Sequence, residues 1–504
     1  MSVQSATNPP TLEALESAAA QGDSQAAIAL ANRLLAEHPP GSSRHAQGVS
    51  MLESAAEGTR AAEAQWLLGA YYLQVSTLGG SHARARAWLD KAAANGVPPA
   101  IDRLADLALS GLAGSGSISE ARALQQSLAD QGYQRAAWEA AYLLAQDTTV
   151  DGVEIATAFL RACALGYPPA YYSLGLRFAL GDGVDRDPAL GWALLRRAAD
   201  GGFADAEAAA QDLCAGAESQ DEARRLHVAF KANLADAHPL LGQLRPGIAG
   251  AGKAPHPLIR RLESHLAGVK HPAIALDGEG RLRVRANAAA RHRTNEEWMW
   301  LSESPRIGVC RDFATREECA HLINKVAAAL RPASEYRRGN SANEDAELQS
   351  FSGRGHPVGA LHTDSVTRVL ERKVSAMTAW PMQRLEPCSI VCYQEGEEYK
   401  PHVDYFTDEQ MLTNRGARRD YGGQRTATFL LYLRAPEAGG ETAYLAPGID
   451  VAGERGMAVI HYNVMPDGRQ DDASLHAGKP ILQGEKWLWR STLREHSLYE
   501  PEGT

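Results

Sequence analysis

Long apolar runs are missing from this 504-residue sequence. No stretch approaches the roughly 18 uninterrupted apolar residues that a membrane span needs. The first residues, MSVQSATNPP, have neither the basic start nor the apolar centre of a secretory leader. A cytoplasmic protein with no membrane partner is therefore expected. Cysteine is scarce too. The six present (Cys163, Cys214, Cys310, Cys319, Cys388, Cys392) are scattered and form no CxxC pair, which excludes a disulfide framework and a zinc ribbon and predicts buried free thiols. An excess of basic charge is also lacking, with 51 Lys and Arg against 61 Asp and Glu. The first 250 residues carry 18 basic against 27 acidic side chains and the remainder 33 against 34, so no basic stripe is available for a nucleic-acid backbone.

What is present is an ordinary globular composition, 44% hydrophobic and 22% charged, in a chain long enough for about three domains. The first 215 residues repeat themselves. A leucine-led helix that ends in small residues and a glycine, followed by an alanine-rich helix, recurs at LESAAAQGDSQAA, LESAAEGTRAAEA, LDKAAANGVPPA, LQQSLADQGYQRAA, LRACALGYPPA and LRRAADGGFADA. The glycines are Gly22, Gly58, Gly96, Gly132, Gly166 and Gly202, at intervals of 36, 38, 36, 34 and 36 residues, which is the period of a two-helix solenoid unit. Each is expected to end a helix in the left-handed conformation that a residue without Cβ adopts cheaply. The unit YYSLGLRFALGDGVDRDPALGWALLRRAADGGFADA resembles the Sel1-like repeat, a relative of the tetratricopeptide repeat. That resemblance implies a scaffold for protein or peptide partners.

After the repeats, SQDEARRLHVAFKANLAD reads as a capping helix and GQLRPGIAGAGKAPHPL as a Gly/Pro linker. Gly247, Gly252 and Lys253 there fit GxxxxGK, but Ala254 replaces the Ser/Thr of a phosphate loop, and Pro255 and Pro257 forbid the helix that must follow it. AIALDGEGRLRVR reads as a hairpin and TREECAHLINKVAAAL as an amphipathic helix. The expected organisation is a repeat array over 1–215, a connector over 216–298 and a catalytic domain over 299–504. With the linker as boundary, residues 1–235 are expected to fold alone, and the catalytic part to keep its sites without them.

The chemistry concentrates in the last 120 or so residues. His402 and Asp404 are two residues apart, so on a strand they project to one face, and His476 completes the two-His, one-carboxylate set that holds non-haem Fe(II) and leaves positions open. HxD alone is weak evidence, because His362 and Asp364 spell it too; there Asp364 precedes DSVTRVLERKVSAM and fits a helix N-cap. Ser304 to Arg494 as a whole resembles the prolyl 4-hydroxylase branch of the 2-oxoglutarate and Fe(II)-dependent dioxygenases. The likeness is carried by PRIGVCRDFATREECAHLI, CYQEGEEYKPHVDYF, GGQRTATFLLYLRAPEAGGETAYL and SLHAGKPILQGEKW.

The resemblance implies a double-stranded β-helix, or jelly roll, with supporting helices, behind an all-α solenoid. It implies His402, Asp404 and His476 as iron ligands, Lys486 as partner of the far carboxylate of 2-oxoglutarate, Thr442 assisting it, and Tyr393 lining the same pocket. Arg425 and Tyr399 match positions that contact the peptide near the reacting proline. Arg490 is a rival anchor for the cosubstrate, Thr492 stands where the family usually has a second tryptophan, and Lys479 where a cysteine is common. The implied cofactors are Fe(II), 2-oxoglutarate, O2 and ascorbate as reductant. The implied activity is 4-hydroxylation of prolines in a protein or peptide recruited by the repeats. The same oxygenase chemistry on another residue type or a small molecule, and a non-catalytic adaptor, stay open as alternatives. Strand parity adds a constraint. A two-residue turn at Gln483 and Gly484 would turn Lys486 away from the face of His476, so a longer or bulged turn, or a break near Pro480, is expected.

Overall fold

A computed structural model describes residues 10–75, 82–114, 116–215, 286–287, 297–332, 351–414, 417 and 421–499. The expected capping helix, the linker with its GxxxxGK sequence and the hairpin over 273–285 lie outside them. Among the described residues no helix is long and apolar enough to cross a membrane. Cys163, Cys310, Cys319, Cys388 and Cys392 are buried free thiols.

Helices α1 (Leu12–Ala20) to α12 (Asp205–Ala215) form six helix-turn-helix pairs. Gly22, Gly96, Gly132, Gly166 and Gly202 stand in five of the intrapair turns with φ between +76° and +92°. Around Gly132, its own N–H reaches Ala129 O at 2.9 Å and Tyr133 N–H reaches Leu128 O at 3.2 Å, the paired closure of a helix ending in a left-handed residue. Gly58 departs from the expectation and has no positive φ. Successive three-residue bonds, Gly58 N to Ala55 O and Ala61 N to Gly58 O, close its turn in a right-handed conformation instead.

Strand β1 (Gly183–Val184), in the GDGV turn, pairs with β2 (Ala286–Asn287). The C-terminal half is built on two antiparallel sheets. The larger runs β3 (Met299–Glu303), β4 (Arg306–Cys310), β13 (Ala458–Tyr462), β9 (Arg425–Arg434), β16 (Lys486–Arg494), β7 (Ser389–Tyr393), β6 (Arg354–Pro357), β5 (Arg331–Pro332). The smaller runs β12 (Ile449–Val451), β11 (Thr442–Tyr444), β14 (His476–Gly478), β8 (Tyr399–His402). β10 (Ala438–Gly439) and β15 (Ile481–Gln483) make a separate pair. This is the jelly-roll arrangement of two facing sheets.

Its central strands read as unbroken apolar runs because both faces are buried. On β9, Ala427, Phe429, Leu431 and Leu433 join the outer cluster while Leu430 and Tyr432 join the inner one. β7 splits likewise into Ile390 and Cys392 outside, Val391 and Tyr393 inside. β16 places Trp487 and Trp489 outside and Leu488 inside, which aims Lys486 and Arg490 inward by the period of two.

Two helices back the larger sheet. α13 (Arg316–Val326) starts with a capping box between Thr315 and Glu318, and α14 (Ser365–Thr378) is capped by Asp364, as its sequence predicts. Their other faces meet the array through α6 (Pro98–Ser110), α8 (Gln134–Ala145) and α10 (Pro168–Leu180). One hydrophobic cluster runs through Trp138, Phe159 and Trp192 of the array, Cys319, Leu322, Val366 and Leu370 of the helices, and Phe429 and Trp489 of the sheet. Polar contacts fasten the same seam. Arg368 grips Asp106 with two bonds (2.8 and 3.0 Å), Ser365 Oγ donates to the buried Glu139 at 2.6 Å, and Arg434 reaches Asp205 at 2.8 Å. Tyr142 donates to Glu318 at 2.7 Å and Trp138 stacks on His321 with centroids 4.5 Å apart. The expectation that each half folds alone thus meets a shared core, which repeat period and linker composition do not report.

Candidate active site

β8 ends at His402, and Asp404 lies just beyond it. β14 begins at His476, which sits directly opposite His402 in the register. That pairing makes one site of residues 74 positions apart in the chain. One donor atom each of His402, Asp404 and His476 falls within 4.8 Å of the others. Asp404 Oδ1 is 3.7 Å from His402 Nε2, and Asp404 Oδ2 is 3.7 Å from His476 Nε2. Both rings are oriented from behind: Nδ1 of His402 meets Lys400 O at 2.8 Å and Nδ1 of His476 meets Ser474 O at 3.0 Å. A neutral ring whose Nδ1–H is donated this way turns the Nε2 lone pair to the centre. Burial holds both imidazoles below their usual pKa, so they stay uncharged at neutral pH, as metal ligation requires. Burial alone would raise the Asp404 carboxyl, but the His461 hydrogen bond and the surrounding imidazoles hold it well below the usual range. Two imidazole nitrogens and a carboxylate converging in this way fit a divalent iron.

Two strand residues further along the smaller sheet, on the order of 7 Å of backbone, is a second polar level, where Thr442 stands opposite Gly478. Lys486 opens β16 opposite Tyr393, fully buried. Its Nζ donates to Gly440 O at 2.7 Å and to Thr442 Oγ1 at 3.4 Å, and Tyr432 OH lies 2.6 Å from the same Thr442 Oγ1. Among the described residues no carboxylate stands within ion-pair distance of Lys486, and burial pushes its pKa down to about 7. The field of Glu441 opposes that shift, but with no direct ion pair the buried ammonium is a place for an anion. Val391, Leu430 and Leu488 belong to the apolar cluster of the same barrel interior.

The strand parity resolves at Pro480. β14 stops at Gly478, β15 pairs with β10 rather than with β16, and Gly484 (φ +85°) precedes Lys486, so no hairpin joins the two. Arg490 stands four residues along β16 from Lys486, near enough to His402 to act on its charge, and its Nε donates to Ser389 Oγ at 2.9 Å. Tyr399 stacks on His402 with centroids 3.6 Å apart. Arg425 is gripped by Glu386 through two bonds of 2.9 and 3.0 Å, with Phe406 beneath its guanidinium. His362 lies apart from this site, on an approximately 390 Å³ cavity between array and catalytic half.

Sequence reasoning missed Thr428, Tyr432, Tyr444 and His461. The available signal was a polar residue on the inner parity of an otherwise apolar strand, as in AVIHY or TATFLLYL.

A jelly roll whose inner face brings two histidines and an aspartate together, with a buried lysine beyond, defines a non-haem iron oxygenase. The model of the 2OG-Fe(II) oxygenase superfamily matches residues 388–491. Prolyl 4-hydroxylase 5 of Arabidopsis thaliana is 32% identical over 216 residues, 38% of this chain and 69% of that protein. Probable prolyl 4-hydroxylase 10 of the same plant is 31% identical over 222 residues, 40% of this chain and 73% of that protein. The 2OG complex of the viral collagen prolyl hydroxylase from Paramecium bursaria Chlorella virus-1 is 19% identical, with a TM-score of 0.28, covering 37% of this chain and 95% of that one. The chain belongs to the prolyl 4-hydroxylase family and is a 2-oxoglutarate-dependent dioxygenase, a class that works with Fe(II), 2-oxoglutarate and O2.

Proposed function

We propose that this protein hydroxylates prolyl residues of a peptide or protein at the 4-position, with His402, Asp404 and His476 as iron ligands and Lys486 as anchor of 2-oxoglutarate. The observation that carries the reading is the pairing of the triad with a buried amine that has no direct ion pair among the described residues, one level away in the same barrel. Bound iron and 2-oxoglutarate supply the oxidising chemistry, in which O2 is consumed, succinate and CO2 are released, and one oxygen atom enters a substrate C–H bond. The chain's own residues bind and orient. Lys486, Thr442 and Tyr393 hold the far carboxylate, the apolar barrel interior excludes water, and Tyr399 and Arg425 stand by the triad as substrate contacts. Glu386 fixes the plane of the Arg425 guanidinium, which pre-orients it toward a peptide carbonyl. Ascorbate is the reductant in this reading, and the five buried free thiols favour a reducing, cytoplasmic setting.

The array would recruit the substrate and also carry the catalytic half, since α6, α8 and α10 are already engaged with it. The test is succinate release and a 16 Da mass gain on proline-containing peptides, compared with the same peptides carrying alanine for proline. Proline-dependent turnover is expected. Equal turnover with the alanine peptides would move the activity to another residue type, and absence of any 2-oxoglutarate turnover would favour the adaptor.

A further inference from the structure

Two hydrogen-bonded arms converge on a single oxygen of Asp404. In one, Thr428 Oγ1 lies 2.6 Å from Asp404 Oδ2, and Asn463 Nδ2 donates to Thr428 Oγ1 at 3.1 Å. Because the hydroxyl accepts from Asn463, its one hydrogen is directed at the carboxylate. In the other, His461 Nε2 lies 3.3 Å from the same Oδ2, and its Nδ1 is 2.9 Å from Tyr444 OH. An ionised carboxylate only accepts, so a neutral His461 carries its proton on Nε2 and takes the Tyr444 hydroxyl proton at Nδ1. Thr428 and His461 face each other across β9 and β13, which is why both donors reach one atom. Thr428, Tyr444, His461 and Asn463 are all buried, at 4% exposure or less. Oδ1 receives no hydrogen bond among the described residues.

We propose that Tyr444–His461 and Asn463–Thr428 are positioning arms that pin Oδ2 and so fix the plane in which the Asp404 carboxylate would meet a metal beside His402 and His476. A carboxylate free to turn would lose that fixed presentation. His461 is therefore a positioning residue and not a fourth ligand. This rests on the reading of His402, Asp404 and His476 as the metal site, and outer partners of this kind typically change metal affinity by about 10- to 100-fold.

The test uses the full chain and Co(II), read by equilibrium affinity and by the visible ligand-field spectrum, with no turnover required. His461→Phe keeps a buried ring but removes the donor, and affinity should fall at least tenfold. His461→Gln returns an N–H and an acceptor, and should restore affinity to within about threefold, with the wild-type spectrum. Thr428→Val, nearly isosteric, should weaken binding in the same direction, and it decides the matter if His461→Phe does not fold. Wild-type affinity in His461→Phe or Thr428→Val would overturn the proposal. So would His461→Gln binding as weakly as His461→Phe, because direct ligation or packing would then explain the loss. Wild-type affinity in His402→Ala is a separate outcome that removes the metal reading itself.

Discussion

The chain spells one short motif twice, as His362-Thr363-Asp364 and His402-Val403-Asp404, and folding gives the two copies opposite work. At the first, Asp364 caps α14 through Thr367 N (2.9 Å) and is met by Lys325 Nζ at 2.6 Å and His321 Nε2 at 2.8 Å. Its charge is already balanced at the seam between array and catalytic half, and His362 is exposed. At the second, no lysine or arginine pairs with Asp404 among the described residues, and a paired strand brings His476 into reach. Lys325 supplies at Asp364 the positive charge that Asp404 keeps for a metal. What separates a structural HxD from a ligating one is therefore which groups the neighbouring elements bring.

The largest effect expected from breaking this comparison lies at the seam. Deleting residues 1–215 would strip the array side from the cluster around Trp138, Val366 and Leu370. The remaining half is expected to aggregate or to lose its cooperative melt, as judged by size exclusion and circular dichroism. A soluble, cooperatively melting fragment would return the array to the status of a separate module.

Next is the contrast within the first motif. Asp364→Ala leaves Lys325 facing a buried site with no partner and should cost about 3–5 kcal/mol in denaturant unfolding. His362→Ala should stay within about 0.5 kcal/mol.

At the second level of the barrel, Lys486→Ala should raise the KM for 2-oxoglutarate about tenfold or more, the loss of one charge-assisted partner. Arg490→Ala, four residues along β16, should do much less to that KM. The reverse order would make Arg490 the anchor.

The smallest effect is one of pH. Lys486 binds an anion only when protonated, and burial sets its pKa at about 7 in the free protein. Affinity for 2-oxoglutarate should therefore be full below pH 7 and fall as pH rises, by about tenfold from pH 6 to pH 8. A flat profile over that range would mean that an acidic neighbour keeps Lys486 charged.

Much of this was legible in the residues. The glycine period predicted six helix pairs, because a left-handed helix ending depends on one local residue type, and five of six glycines show it. HVD and a distant histidine predicted three side chains that come together, because the residue types carry the chemistry. The seam was not legible, since Asp106, Glu139 and Asp205 look like solvated charges until Arg368, Ser365 and Arg434 are laid against them. The arms behind Asp404 were hidden for the same reason. Thr428 and His461 act together only through cross-strand register, which no single segment records.

The most direct test of the contrast between the two motifs is metal stoichiometry by equilibrium dialysis with elemental analysis, on the wild type, His476→Ala and His362→Ala. The account predicts about one iron per chain in the wild type and in His362→Ala, and almost none at micromolar metal in His476→Ala. Retention of iron by His476→Ala, or its loss from His362→Ala, would contradict it.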